Sequence, residues 1–297
     1  MTADKLLAVD WGTSSLRGAL LALDGRVLEE RAFERGILSV GPGEFPAVFE
    51  SSFADLMAPG TLCLISGMAG SRQGWREAPY CACPAGFADI AAKLEWVQPG
   101  RIALVPGLST EHDGVPDVMR GEETQVFGAM ALLGLSDARM VLPGTHSKWV
   151  TVVEGRITGF STWMTGEFYA LLRQHSILAK SLPAKDDAPD DAAFDQGVAH
   201  ALQRPGILHT AFSTRTLSLF GRLPAASLPS YLSGLLIGEE LGAQSLSAGQ
   251  QVVVMGAEAL SARYVRALSQ RGVQASRLGD GATWRGLRAL ADTLLSS

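Results

Sequence analysis

The chain has 297 residues, 25 Lys+Arg against 30 Asp+Glu, a formal net charge of -5 and 47% hydrophobic residues. At roughly 150 residues per domain this predicts about two domains, each able to bury a core. The apolar content excludes a disordered chain, and the dispersed negative balance excludes the concentrated basic surface of a nucleic-acid binder. The sequence lacks the run of about 18 apolar residues that a membrane span needs. The opening Met1–Lys5 passes straight into Leu6–Asp10 with no basic-then-apolar leader, and Cys63, Cys81 and Cys83 are too few for a disulfide framework. A reducing, cytoplasmic setting is expected.

Leu6–Asp10 and Leu16–Leu23 read as strands, and Asp24-Gly25 is a hairpin turn into a third strand, Arg26–Glu34. Gly41–Gly43 breaks the chain. Pro46 can open a helix whose Phe49, Phe53, Leu56 and Met57 share one face. Thr61–Ser66 is a short buried strand, followed by the loop Gly67–Trp75. Phe87, Ile90, Ala91 and Leu94 mark an amphipathic helix, and Arg101–Val105 is again a strand. A meander followed by helix–strand units is an α/β pattern.

Residues 121–133 predict a helix with glutamates in its first turn. Met140–Gly155 and Arg156–Met164 then repeat the opening meander. Gly144-Thr145 stands where Gly12-Thr13 stood and Glu154-Gly155 where Asp24-Gly25 stood, the second hairpin being two residues shorter. The repeat predicts two related domains facing each other, 1–118 and 119–297. Ser181–Asp195 is acidic and reads as a surface excursion. Helical patterns cover about 197–220 and 229–246, Gln251–Met255 is a strand ending at Gly256-Ala257, and helices around 258–271 and 284–295 follow.

The string Asp10-Trp-Gly-Thr-Ser-Ser15 carries the first chemistry. Gly12 lets backbone approach a phosphate without an intervening Cβ, and Thr13, Ser14 and Ser15 offer hydroxyl and amide donors. Asp10, at the end of a buried strand, could hold a hydrated Mg2+. Taken alone, the string reads more readily as a plain Gly/Ser/Thr-rich β-turn. The second copy, Gly144-Thr145-His146-Ser147-Lys148, makes a two-sided clamp for a polyphosphate the stronger reading, with Lys148 either a point charge on a transferred phosphoryl group or a solvated strand lysine.

These strings, with Gly121-Glu-Glu-Thr-Gln125 and Val-Val-Met-Gly256-Ala257 in the same order, resemble the actin-like ATPase superfamily. Val9–Arg17, Gly67–Trp75, Met119–Gln125, Leu142–Val150 and Ser233–Glu239 more narrowly resemble the 2-dehydro-3-deoxygalactonokinase family, from about residue 6 to about residue 290. The resemblance implies a two-domain actin-like, ribonuclease H-like fold with ATP and Mg2+ in the interdomain cleft. It also implies transfer of the ATP γ-phosphoryl to the carbon 6 hydroxyl of 2-dehydro-3-deoxy-D-galactonate, a step of D-galactonate catabolism. Related kinases place a general-base aspartate at the start of the linking helix. Here that position is glutamate, and the spacing to Gly128 is one residue short, so Glu122 is favoured, then Glu123, with Asp117 third. The helix dipole alone would also favour acids there.

A sugar-acid substrate needs a carboxylate partner, for which arginine is suited. Arg72 and Gln73 are the first substrate contacts expected, with Arg120 behind them and Glu167 as a partner for a substrate hydroxyl. Gly256-Ala257 is the implied adenosine loop, which Gly234 and Gly238 either line or leave for helix packing. His146 is a polar contact to the nucleotide. The alternatives are a kinase of the same superfamily for another sugar or polyol, and a non-catalytic nucleotide switch. Arg215 is left without a role, and the oligomeric state is open.

Overall fold

The computed structural model describes residues 4–185, 188–204, 206–279 and 281–296. Met1–Ala3, where no leader was expected, and two residues of the acidic excursion, 186 and 187, lie outside them. In chain order the elements are β1 (Lys5–Trp11), β2 (Leu16–Ala22), β3 (Val27–Phe33), α1 (Phe45–Phe53), β4 (Thr61–Gly67), β5 (Cys81–Ala82), α2 (Phe87–Ala91), β6 (Glu95–Gln98), β7 (Ile102–Leu104), β8 (Leu108–His112), β9 (Val115–Met119) and α3 (Glu122–Leu133). There follow β10 (Ala138–Leu142), β11 (Ser147–Val153), β12 (Arg156–Trp163), α4 (Thr165–His175), α5 (Asp191–Gln203), α6 (Ile207–Thr210), α7 (Ser213–Leu219), α8 (Leu228–Gly242), β13 (Gln251–Met255), α9 (Glu258–Ser269), β14 (Gln274–Leu278) and α10 (Ala282–Leu295).

The repeat seen in the sequence is a repeat of topology. One sheet runs β3-β2-β1-β4-β7-β6 and the other β12-β11-β10-β13-β14. In each, an antiparallel meander supplies three strands and parallel strands are added beside the first. This is the ribonuclease H-like α/β unit, present twice. Every residue of β4 is buried, as expected for a parallel strand covered on both faces. Pro46 does open α1, whose Phe45, Phe49 and Phe53 pack with Trp11, Leu16 and Ile65 in one core. Val141, Trp149, Val252, Val254 and Tyr264 build another.

The chain divides into two compact units, Met1–Arg139 with Val150–Ser161 and Asp280–Ser297, and Met140–Trp149 with Thr162–Gly279. The expected break after residue 118 is not where contacts divide. The α3 backbone meets α10 so closely that a Cβ on Gly128 would lie 1.7 Å from the Ala282 carbonyl oxygen, and one on Gly286 would lie 1.9 Å from that of Thr124. The long helical pattern over 197–220 is also interrupted, by Gly206 at φ +121°. The hairpin β8–β9 and the edge strands β6 and β14 were not expected, being short and mostly polar or exposed.

Candidate active site

In the first unit the hairpin register places Asp10 directly opposite Arg17 and beside Ser66 of β4. Arg17 Nη2 donates to Asp10 Oδ2 at 2.7 Å, and its guanidinium lies 5.7 Å from the centre of the Trp284 ring. The metal-binding expectation for Asp10 is therefore modified, because a cation already sits on one carboxylate oxygen. Among the described residues no three His, Cys, Asp or Glu side chains converge to hold a metal. The donor set fits only an ion that keeps its water and takes further oxygens from phosphate, which is how Mg2+ is commonly bound.

Between β1 and β2, the Gly12 N–H donates to the Ser15 carbonyl at 2.9 Å, and Thr13, Ser14 and Ser15 are exposed. The turn is fixed from behind by the segment after β3. Ile37 N–H donates to Gly12 O at 3.0 Å, and a Cβ on Gly36 would come within 2.2 Å of Ser14 N and Thr13 O. The second copy is built the same way. Glu167 N–H donates to Thr145 O at 3.0 Å, and a Cβ on Gly166 would lie 2.4 Å from Gly144 O. Gly36 and Gly166 each stand three residues past the third strand of their meander. Cβ atoms on Gly12 and Gly144 would meet nothing nearer than 3.6 and 3.9 Å. Protein packing does not demand glycine at either position, whereas a ligand pressing on bare backbone would.

Within the second loop the predicted residues separate. Thr145 and His146 are exposed, and His146 Nε2 meets Glu167 Oε2 at 2.5 Å, so these two candidates adjoin. Ser147 is wholly buried and donates to Glu240 Oε2 at 2.8 Å, directed away from the exposed turn. Lys148 is also buried and already engaged, which sets it apart from the exposed point charge expected of it. Gly256 takes φ +144°, and a Cβ there would lie 3.3 Å from Pro143 O, so Gly256-Ala257 does adjoin the second loop. Gly234 and Gly238 serve helix packing, since Cβ atoms on them would meet Phe194 O at 2.1 Å and Ala201 Cβ at 2.8 Å. A cavity of about 350 Å³ opens against this loop, lined by Gly144, Thr145, Thr165, Gly166, Arg263 and Tyr264 among others. Sequence reasoning missed Arg263, whose position on the amphipathic α9 carries no motif signal.

The start of α3 is seated on the end of β4. Gly67 and Gly121 take φ +92° and +107°, and a Cβ on Gly121 would lie 3.3 Å from Gly67 Cα. Gly67 in turn adjoins Trp11 O and Asp10 Oδ1. Ser66 and Thr124 share a buried hydroxyl hydrogen bond of 3.0 Å. Glu122 and Glu123 thus stand at the same sheet end as Asp10. Glu122 is half-buried and accepts from Arg120 N–H at 3.0 Å. Glu123 is fully buried; its Oε2 accepts from Gly121 N–H at 2.7 Å and its Oε1 has no partner among the described residues. Burial, with the neighbouring Glu122 charge, pushes the Glu123 carboxyl up to about 8. Glu123 is thus a neutral acid at pH 7. Asp117 is on the β8–β9 hairpin, accepting from Val118 N–H.

The arginines change rank. Arg72 is 83% exposed and 3.5 Å from Glu77, and Gln73 is likewise exposed. Arg120 instead lies over the Tyr80 ring at 4.4 Å and donates from Nη2 to Ala78 O at 2.8 Å. Its Nε and Nη1, and the nearby Ser71 hydroxyl, are buried without partners among the described residues. Arg215 donates to Ser181 Oγ at 3.3 Å, a structural tie. Trp75 packs on Phe49 and Trp11.

The whole chain, not just this site, has a match. It fits the family described as 2-keto-3-deoxy-galactonokinase over residues 10–290. The chain belongs to the 2-keto-3-deoxy-galactonokinase family. It is 38% identical over 298 residues to a Rhizobium meliloti (strain 1021) protein named a probable 2-dehydro-3-deoxygalactonokinase, covering 98% of this chain and 97% of the relative. It is 37% identical to the Escherichia coli (strain K12) 2-dehydro-3-deoxygalactonokinase, covering 98% of both. The crystal structure of a candidate 2-dehydro-3-deoxygalactonokinase from Sinorhizobium meliloti superposes with a TM-score of 0.89 at 37% identity, over 97% of this chain and 99% of that one. This member of the galactonokinase family is therefore an ATP-dependent sugar kinase of α/β fold, and among its described residues no helix is long and apolar enough to cross a membrane.

Proposed function

We propose that the protein phosphorylates 2-dehydro-3-deoxy-D-galactonate at its carbon 6 hydroxyl, using ATP with Mg2+. The observation that carries the substrate assignment is Arg120. Two of its guanidinium nitrogens are buried with no acceptor among the described residues, one residue before the Gly121–Glu123 turn that holds both candidate bases. An unpaired buried donor costs about 1–3 kcal/mol, which a substrate carboxylate entering beside the Gly70–Trp75 loop would recover. Arg72 and Gln73 are assigned to the approach rather than to the bound state. The close family relatives named for this substrate support the assignment.

Glu122 is the proton acceptor in this reading. It is at the right sheet end and remains partly accessible, whereas Glu123 already holds a proton at neutral pH. A base must lie within hydrogen-bond reach of the hydroxyl it deprotonates. Gly12, Thr13, Ser14 and Ser15, and Gly144, Thr145 and His146, each contribute to holding the ATP polyphosphate. The cavity beside the second loop takes the rest of the nucleotide, with Gly256-Ala257 at its edge. Glu167 holds His146 in place. Asp10 would hold hydrated Mg2+, which when bound neutralises charge on the transferred phosphoryl group. We place the enzyme in the cytoplasm, with ATP and a small sugar acid as its partners. Its cysteines are free thiols, in keeping with that setting.

The test is an ATP-consumption assay over 2-dehydro-3-deoxy-D-galactonate, neutral hexoses and polyols, with the product identified by mass and by 31P NMR. Turnover confined to the sugar acid, with phosphate on carbon 6, is expected. Equal turnover of neutral sugars would overturn the assignment of Arg120, and ATP binding without any phosphorylated product would overturn the kinase reading of the site.

A further inference from the structure

A buried acid outside the residues assigned above holds the second loop from behind. Glu240, on α8, is 1% exposed. Its Oε1 accepts from Trp149 Nε1 at 2.7 Å. Its Oε2 accepts from Ser147 Oγ at 2.8 Å, from Tyr264 OH at 2.7 Å and from the Thr165 hydroxyl. Three elements therefore converge on one carboxylate: strand β11 where it leaves the second loop, the first turn of α4, and α9. All of its named partners are neutral donors. Burying an acid among neutral groups is expensive, and an apolar residue could fill the same space more cheaply. What a carboxylate adds is geometry, because two oxygens can gather several donors at fixed distances.

The geometry it fixes is that of the cavity. Thr165 and Tyr264 line the cavity of about 350 Å³ beside Gly144 and Thr145, while Glu240 does not. We propose that Glu240 is a positioning residue for nucleotide binding, acting through Ser147, Thr165 and Tyr264 to hold the Gly144–Ser147 loop and the cavity wall at the spacing a nucleoside polyphosphate requires. This rests on the reading of that loop as part of the nucleotide site. The sequence carries no hint of it, since Glu240 directly follows Glu239, a half-buried acid of the same helix that accepts from Gly206 N–H.

The test compares Thr165→Val, Tyr264→Phe, Glu240→Gln and Glu240→Leu in the full chain. ADP affinity is read by calorimetry, alongside the KM for each substrate and the melting temperature. Removing one hydroxyl bond at about 0.5–1.5 kcal/mol predicts a roughly 2- to 12-fold weaker ADP affinity for Thr165→Val and for Tyr264→Phe, with the sugar-acid KM within about twofold. Glu240→Gln should lose less than Glu240→Leu, because its amide oxygen can keep the Trp149 N–H while the hydroxyls rotate to accept. If Glu240→Leu fails to fold, the two hydroxyl variants decide. Unchanged ADP affinity in both, or a parallel loss for nucleotide and sugar acid that follows the melting temperature, overturns the proposal. Gly166→Ala separates the two claims, since its Cβ presses directly on Gly144 O. If Gly166→Ala leaves ADP affinity intact, the loop is not the nucleotide site and both claims fall. If it weakens ADP binding while the hydroxyl variants do not, only the role of Glu240 falls.

Discussion

Replacing Glu123 by Gln should stabilise the protein increasingly as pH rises. In the folded chain its carboxyl is held at about 8, against 4.5 for the free side chain, first by burial and then by the Glu122 charge. As pH rises through 4.5 the unfolded chain loses this proton while the folded chain keeps it, so stability falls with pH until about 8 and levels off beyond. Each pH unit is worth about 1.4 kcal/mol, giving a penalty of about 3 kcal/mol at pH 7 and about 5 kcal/mol at pH 8 and above. The residue is wholly buried, so solvent screening does not discount these figures. A glutamine side chain has the same shape and can still accept from Gly121 N–H, yet never ionises. Urea unfolding of parent and Glu123→Gln at intervals from pH 5 to pH 9 should give stabilities that diverge steadily up to pH 8, with the variant higher. Turnover should survive within a few-fold. Parallel stability curves would show that Glu123 is already charged at neutral pH, and loss of turnover in a well-folded variant would move the base role from Glu122 to Glu123.

Glu122→Gln should lower kcat by roughly 100- to 10,000-fold with both KM values little changed; near-full turnover refutes its role as base. Arg120→Lys should raise the sugar-acid KM at least tenfold and leave the ATP KM within twofold, whereas Arg72→Ala should change either by less than about threefold; steady-state kinetics on the two variants checks the ranking. Gly36→Ala should raise the ATP KM by pushing on Thr13 and Ser14, and an unchanged value would remove the first loop from the nucleotide site. Asp10→Asn should raise the Mg2+ concentration needed for half-maximal rate, and an unchanged magnesium titration would count against Asp10 as a ligand.

Much of this was legible in the residues, for identifiable reasons. The duplicated Gly-Thr turns, with their acidic-Gly partner turns, predicted the shared strand order because hairpin chemistry is local. The position of Glu122 and Glu123 at a helix start was legible for the same reason. Whether a side chain faces outward was not local, and here the reading diverged. Ser147 and Lys148 follow directly on an exposed turn, yet the start of β11 is covered on both faces and buries both. Arg17 was quoted within a motif, but its partner follows only from the hairpin register that sets it across from Asp10. Arg72 and Arg120 are indistinguishable as arginines near loops; only the packing of Gly70, Ala78 and Tyr80 separates a solvated side chain from one held with unpaired donors. The division at residue 118 failed because α10, distant in sequence, returns to α3.

That return has a consequence for biogenesis. Helix α3, which presents Glu122, packs backbone to backbone on a helix that leaves the ribosome some 150 residues after it. Domains usually complete in the order of synthesis. Here the half that is begun first must wait, helix α3 lacking its companion until α10 has been made, while the intervening half can already have folded.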